Sequence, residues 1–343
     1  MEKFKRYTDE ATGVNPFVPY RKKLSDSTPA VLKFILNPLR MILLSPILFL
    51  FKLILILIFM LPYIAIQYVS IIIPIYAIKR LLHRYSSILC CGASLFTLLG
   101  FSTIKSKHVD LEGKEKPNHS TTLNHGDLII CNYVSFIELF YLNFKYSPTF
   151  AMIVKSSIEN GESNYGVRPC GFFSALSYTF FGQFNDTQTY SDCKSLPEII
   201  KQAREYKQGP VVIFPEAVTS NGRSVLKFQN NVFQDMEQVL RENKNYQVRV
   251  IGFKYTYEEF SPAYHLGNFW PHLFKVLTQF YNSLHVAHIY LNADDMKTLE
   301  QNFSVTAIKK IVLPKVLGIV SVNSSPADRE RFLKEWNKGE KHE

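Results

Sequence analysis

Cysteine is scarce. The five present, Cys90, Cys91, Cys131, Cys170 and Cys193, are odd in number and irregularly spaced. That excludes a disulfide scaffold, and the thiols read as reduced and facing the cytosol. Negative charge is also short, with 29 Asp and Glu against 39 Lys and Arg in 343 residues, a net charge of +10. The basic residues form no dense stripe on a recognition motif, so nucleic acid is not an expected partner. No internal repeat is present, which excludes a solenoid. Aromatic and apolar residues are not lacking: at 14% and 47% they exclude a disordered chain and suffice for a full core.

The most localised absence is of charge near the N-terminus. Met41 to Ile78 contains only Lys52, and Leu53 to Ile78 is a run of 26 residues with no charge. As a straight helix such a run is about 39 Å long, against a hydrocarbon core of about 30 Å. It starts too late and runs too long for a secretory signal. Pro46, Pro62 and Pro74 interrupt it, and proline removes a backbone donor. Arg21, Lys22, Lys23, Lys33 and Arg40 precede the run, and Lys79, Arg80, His83 and Arg84 follow it. Positive residues stay cytoplasmic, so a membrane hairpin with both ends in the cytosol is expected, with a single span as the alternative. Ile88 to Phe101 is too short to span with ease and reads as a core or interfacial helix.

Beyond about residue 105 the pattern changes. Short apolar runs bounded by turn residues at 127–132, 150–155, 209–215 and 247–253 predict buried strands. Leu196, Ile199, Ile200 and Ala203 fall on one face of a predicted helix over 195–207. Alternating strands and helices imply an α/β fold: a mostly parallel sheet flanked by helices, with ligands beyond the carboxyl ends of the strands. The tail from Ser325 reads as a solvated helix. The expected organisation is a cytosolic segment 1–40, a membrane hairpin or span 41–78, an interfacial helix and linker 79–104, the α/β domain 105–300 and a helical appendage 301–343.

One strand end is chemically dense. Pro215 is followed by Glu216, Ala217, Val218, Thr219, Ser220, Asn221, Gly222, Arg223 and Ser224. A carboxylate, hydroxyls, an amide, a glycine and an arginine after a buried strand suit a phosphate held by backbone N–H groups and an arginine fork. A solvent turn of the same composition is the plainer alternative. Phe214-Pro215-Glu216 with Thr219 to Gly222 resembles the F-P-E-G-T motif of the 1-acylglycerol-phosphate acyltransferase family. Its Thr-Ser-Asn-Gly continuation resembles the branch acylating lysophosphatidylcholine and lysophosphatidylethanolamine. Phe150 to Lys155 is similar to the family's V-x-K strand, and Phe260 to Tyr264 with Phe269 to Leu284 is similar to its aromatic-rich segment after the last core strand. The resemblance covers roughly residues 95–295. Met1-Glu2-Lys3, Thr12-Gly13, Pro16-Phe17 and the Glu216 to Phe228 segment further resemble fungal members of the family that acylate lysophosphatidic acid with oleoyl-CoA at lipid droplets and are tied to vacuolar sorting.

The family's catalytic motif, N-H-x-x-x-x-D, aligns with Asn132, Tyr133 and Glu138, so the resemblance implies that these three are catalytic. In the family the histidine takes the proton of the acceptor hydroxyl as that hydroxyl attacks a thioester. Here it is Tyr133, and a phenol with a pKa of about 10 is scarcely ionised at pH 7. Glu138 would then act as base, or polarise the acceptor through Tyr133. His125 precedes Tyr133 by eight residues, about 25 Å if most of that is strand, and Ile130 occupies the acid's place after it. His119 and His265 read as surface or loop histidines. The resemblance implies substrate contacts from Glu216, Thr219, Ser220, Asn221, Gly222, Arg223 and Lys155, although Ala217 and Val218 replace the motif's glycine and threonine.

The implied activity is acyl transfer from acyl-CoA, as co-substrate, to a lysophospholipid, with lysophosphatidic acid giving phosphatidic acid as the expected reaction. No bound cofactor, metal or covalent enzyme intermediate is implied. The expected setting is the phospholipid membrane of the endoplasmic reticulum or the lipid-droplet surface, with the catalytic domain facing the cytosol and the oligomeric state open. The alternative is a homologue without turnover that serves as a lipid-binding scaffold in lipid-droplet or vacuolar trafficking.

Overall fold

A computed structural model describes residues 2–19, 37–100, 104–110, 113–116, 122–159, 162–185, 187–233, 236, 247–257, 260–280, 282–289, 291 and 313–340. His119 and most of the basic residues expected before the apolar run lie outside the described residues.

The apolar run forms one helix, α1 (Asn37–Ile72), that passes unbroken through Pro46 and Pro62. The chain bends only at 73–75, around Pro74, before α2 (Tyr76–Ser86). The break in the run therefore falls at the last of its three prolines and not at Pro46 or Pro62. Contacts after Pro46 and on both sides of Pro62 hold its axis: Phe49 packs on Phe274, Lys52 Nζ donates to the Gln279 carbonyl at 2.6 Å, and Tyr63 packs edge-on to Phe172. Ser45, Lys52, Met60, Tyr63 and Ser70 form its buried stripe, while Leu43, Ile47, Leu50, Ile54, Leu57, Leu61 and Ile72 are exposed. Leu43–Ile72 is long and apolar enough to cross a membrane. A π-helical turn (Ser87–Cys91) and α3 (Gly92–Leu98) follow, with Cys91, Leu95 and Leu98 buried.

The α/β domain is built on a seven-stranded sheet, β1 (Lys105–Val109), β2 (Leu128–Cys131), β3 (Thr149–Glu159), β4 (Glu162–Cys170), β5 (Val211–Ile213), β7 (Val248–Thr256) and β8 (Ser283–Ile289), in the order β1-β8-β7-β2-β5-β3-β4. The strands β7, β2, β5 and β3 run parallel at its centre, and the β3/β4 and β7/β8 pairs are antiparallel. The period of two divides the apolar residues between the faces. Ile129, Cys131, Phe150, Met152, Val212 and Phe214 pack under α3, α4 (Ile137–Tyr146), α5 (Phe172–Phe180) and α7 (Phe269–Leu277). Leu128, Ile130, Ala151, Ile153, Val211 and Ile213 pack under α6 (Leu196–Glu205) and α8 (Leu313–Leu317). Helix α6 starts in a capping box between Ser195 and Glu198.

A third cluster joins the chain ends. Phe4, Tyr7 and Phe17 pack on Phe332 of α9 (Pro326–Glu340), beside β6 (Ser224–Val225) and β9 (Val320–Ser321). The tail helix is therefore not solvated on all sides: Arg329, Phe332 and Leu333 are buried.

Candidate active site

The loops after β2 and β5 meet at the carboxyl end of the parallel strands. Asn132 extends the β2–β7 pairing with its side chain, donating to the Phe253 carbonyl at 2.9 Å and accepting from the Phe253 N–H at 2.7 Å. Tyr133 comes next and is fully buried. Its ring stacks on Phe214 at 4.4 Å, and its hydroxyl bonds Thr179 of α5. Glu216 binds the two loops together: its carboxylate accepts the N–H of Tyr133 at 2.9 Å and that of Leu226 at 2.8 Å. The Ser220 N–H returns a bond to the Tyr133 carbonyl at 3.2 Å.

Glu138, in the first turn of α4, folds back on its own loop and accepts from the N–H groups of Val134 at 3.0 Å and Ser135 at 3.1 Å. Burial, with the nearby Glu216 carboxylate, holds its pKa well above the usual carboxylate range. Burial also raises the Tyr133 phenol well above its ordinary value. The Tyr133 hydroxyl is thus taken up by Thr179 and the Glu138 carboxylate by the backbone N–H groups of its own loop.

The 216–223 loop is held rather than loose. Ala217 sits in the left-handed region at φ 62°, where the motif's glycine would be unstrained. Gly222 is needed at φ 74°, and a Cβ there would lie 3.0 Å from Val134 Cγ1. Thr219 bonds the Gln183 side chain and the Tyr264 carbonyl. Asn221 Nδ2 donates to the carbonyls of Asn15 at 2.8 Å and Val18 at 3.0 Å, strapping the N-terminal segment over the loop. Arg329 donates to the carbonyls of Gln183 and His265, each at 3.1 Å.

Gly222 and Arg223 line a cavity of ≈ 640 Å³ with Val134, Lys254, Tyr255 and Tyr257. It opens beyond the carboxyl ends of β2 and β7, and among the described residues no carboxylate lines it. Lys155 lies elsewhere: it pairs with Glu330 at 2.7 Å, beside a slot of ≈ 10 Å³, too small for a phospholipid headgroup. His125 is at the opposite end of β2 from Tyr133, with Nδ1 accepting from the Gly209 N–H at 3.1 Å. His265 is not at the surface but buried, and burial pushes its pKa down to about 3. Sequence reasoning missed Lys254, Tyr255 and Tyr257, which continue an expected strand just past its assigned end. It also missed Arg329, for which an amphipathic tail gives no signal.

No protein-family model matches the chain. It is 21% identical over 201 residues to the lysophospholipid acyltransferase LPEAT2 of Arabidopsis thaliana, covering 59% of this chain and 34% of that protein. The chain thus spans about a third of that relative's length. A solved structure, the 1-acyl-sn-glycerophosphate (LPA) acyltransferase PlsC from Thermotoga maritima, aligns over 78% of this chain and 97% of its own at a TM-score of 0.38 and 10% identity.

Proposed function

We propose that the protein is a membrane-bound acyltransferase that moves a fatty acyl group from acyl-CoA to a lysophospholipid, with lysophosphatidic acid as acceptor and phosphatidic acid as product. The observation that carries this reading is the ≈ 640 Å³ cavity with Arg223 and Lys254 in its wall, directly beside the loop that Glu216 ties to Tyr133. A phosphomonoester in that cavity meets two cations and the Gly222 backbone. The acceptor hydroxyl attacks the thioester carbonyl, an O–C bond forms, the C–S bond breaks, and CoA leaves as its thiol. Tyr133 and Glu138 hold the loop in shape and do not move the proton. The acceptor's own phosphate takes it from the hydroxyl and returns it to the departing thiolate, a demand that the reactivity of a thioester keeps modest. Helix α1 holds the domain on the cytosolic face of the endoplasmic reticulum or the lipid droplet.

A second reading rests on a different observation. Tyr133, Glu138, Glu216, Thr219 and Ser220 are all sealed from solvent by the protein's own side chains. A homologue of this kind binds lipid without turnover and serves as a scaffold in lipid-droplet or vacuolar trafficking.

The two are separated by steady-state kinetics on membranes carrying Arg223→Ala or Lys254→Ala. Each substitution is expected to raise the KM for lysophosphatidic acid about 10- to 100-fold, the value of a charge-assisted hydrogen bond, and to leave the KM for acyl-CoA near its starting value. Unchanged KM for lysophosphatidic acid in both variants contradicts the phosphate assignment.

A further inference from the structure

A second cavity lies at the opposite end of the sheet, where β3 begins and β4 ends. It measures ≈ 750 Å³ and sits between α1, α2 and the domain. Lys79, Arg80 and His83 of α2 and Lys207 after α6 line it, and among the described residues no Asp or Glu does. The Arg80 guanidinium is spent on neutral partners, donating to the carbonyls of Tyr146 at 2.9 Å and Gln208 at 3.3 Å and to that of Ser147. Its charge is therefore fixed at the cavity without a counter-ion among the lining residues. The first turn of α5 also opens into the cavity: its N-cap is Gly171, which has no side chain to cap the helix, and Phe172, Phe173 and Ser174 line the wall. The positive end of that helix thus adds to the three side-chain cations.

Tyr63, Phe172, Phe173, Tyr76 and Tyr206 give the wall an aromatic part, and its rim continues the exposed apolar surface. Phe173, Tyr76 and Tyr206 line the cavity and are exposed, next to Ile72, Ile75 and Leu81. A ligand that fits carries a phosphate at one end and long apolar chains at the other.

We propose that this cavity is a phospholipid-headgroup site, distinct from the site beside Glu216, which takes the phosphate of an anionic membrane lipid while the lipid's acyl chains lie against α1 and α2. The flanking charges Lys79 and Arg80 then act as a shaped receptor and not only as a general attraction to the surface. The site is independent of acyl transfer, because it requires neither acyl-CoA nor a lysolipid.

The test is co-flotation of the full chain with phosphatidylcholine vesicles, with and without phosphatidylserine, in the absence of acyl-CoA. Phosphatidylserine is expected to tighten binding, and Lys79→Gln with Lys207→Gln to cancel that gain by about 10- to 30-fold, from the attraction of two lysines near an anionic surface. Binding to pure phosphatidylcholine should be unchanged, which also shows that the double variant is folded. Lys105→Gln with Lys107→Gln removes the same charge from β1, at the far edge of the sheet, and should keep the gain. Arg223→Ala should keep it too, so failure here is separate from failure of the acyltransferase reading. Equal losses in the two lysine pairs would mean diffuse attraction and overturn the site. Binding of inorganic phosphate without vesicles that is lost in Lys79→Gln with Lys207→Gln, while the phosphatidylserine gain stays intact in that variant, would assign the cavity to free phosphate and overturn the lipid.

Discussion

Ala217 shows how much a single position can carry. It stands where the family motif has glycine, and the turn after β5 still imposes φ 62° on it. An L-residue in that region costs about 1–2 kcal/mol, while glycine returns roughly 0.5–1 kcal/mol of that through its freer unfolded chain. Ala217→Gly is thus expected to raise stability by up to about 1 kcal/mol, read as a higher urea midpoint at constant slope. A lower midpoint contradicts the strain. The residue types of the candidate site were legible in the sequence, because Asn132, Tyr133, Glu138 and the 216–223 stretch lie in two short segments. Their hydrogen bonds were not legible. Whether Glu138 faces substrate or its own backbone depends on the turn at Val134 and Ser135, and neither residue type announces that turn.

Among the elements, β2, β3, β5 and β7 and helix α6 were readable as apolar runs or a helical period, since strands buried on both faces leave nothing else to read. The β4 strand escaped: Glu162-Ser-Asn-Tyr-Gly-Val-Arg-Pro-Cys170 is polar along much of its length, and its existence depends on pairing with β3. The break in the apolar run was expected at its prolines. Packing on α2, the π-helical turn, α3 and α7 overrides two of the three. Helix α9 was read as solvated because its charged residues outnumber the apolar ones, yet Phe332 is the hub of the aromatic cluster that holds the N-terminal strap. Phe332→Ala is expected to cost about 3–5 kcal/mol, measured by denaturant unfolding. A loss under about 1 kcal/mol would show that the cluster does not bind the chain ends together.

The whole molecule has two chemically distinct ends and an apolar flank. Arg223 and Lys254 mark the carboxyl end of the sheet, Lys79, Arg80 and Lys207 the amino end, and the exposed side of α1 and α2 runs beside the latter. The interior also stores a pH response. Burial lowers the pKa of His83 to about 4 and of His265, His272 and His288 to about 3. These groups are neutral in the folded protein and protonate in the unfolded chain near 6.5. Their stabilisation is complete above about pH 6.5 and is lost as pH falls toward 3. Glu138 and Asp127, raised by burial, act in the opposite sense but are two against seven, since burial also lowers His108, His125 and His285. The Tm is therefore expected to be lower at pH 5 than at pH 7, and a higher Tm at pH 5 contradicts the neutral histidines.

The central claim is acyl transfer, and the most direct measurement is the movement of a labelled acyl group from acyl-CoA to a panel of lysophospholipids in membranes containing the protein. Label is expected in phosphatidic acid when lysophosphatidic acid is offered, above membranes lacking the protein and reduced by Arg223→Ala. Absence of transfer to lysophosphatidic acid, lysophosphatidylcholine and lysophosphatidylethanolamine alike would contradict it and leave the lipid-binding scaffold.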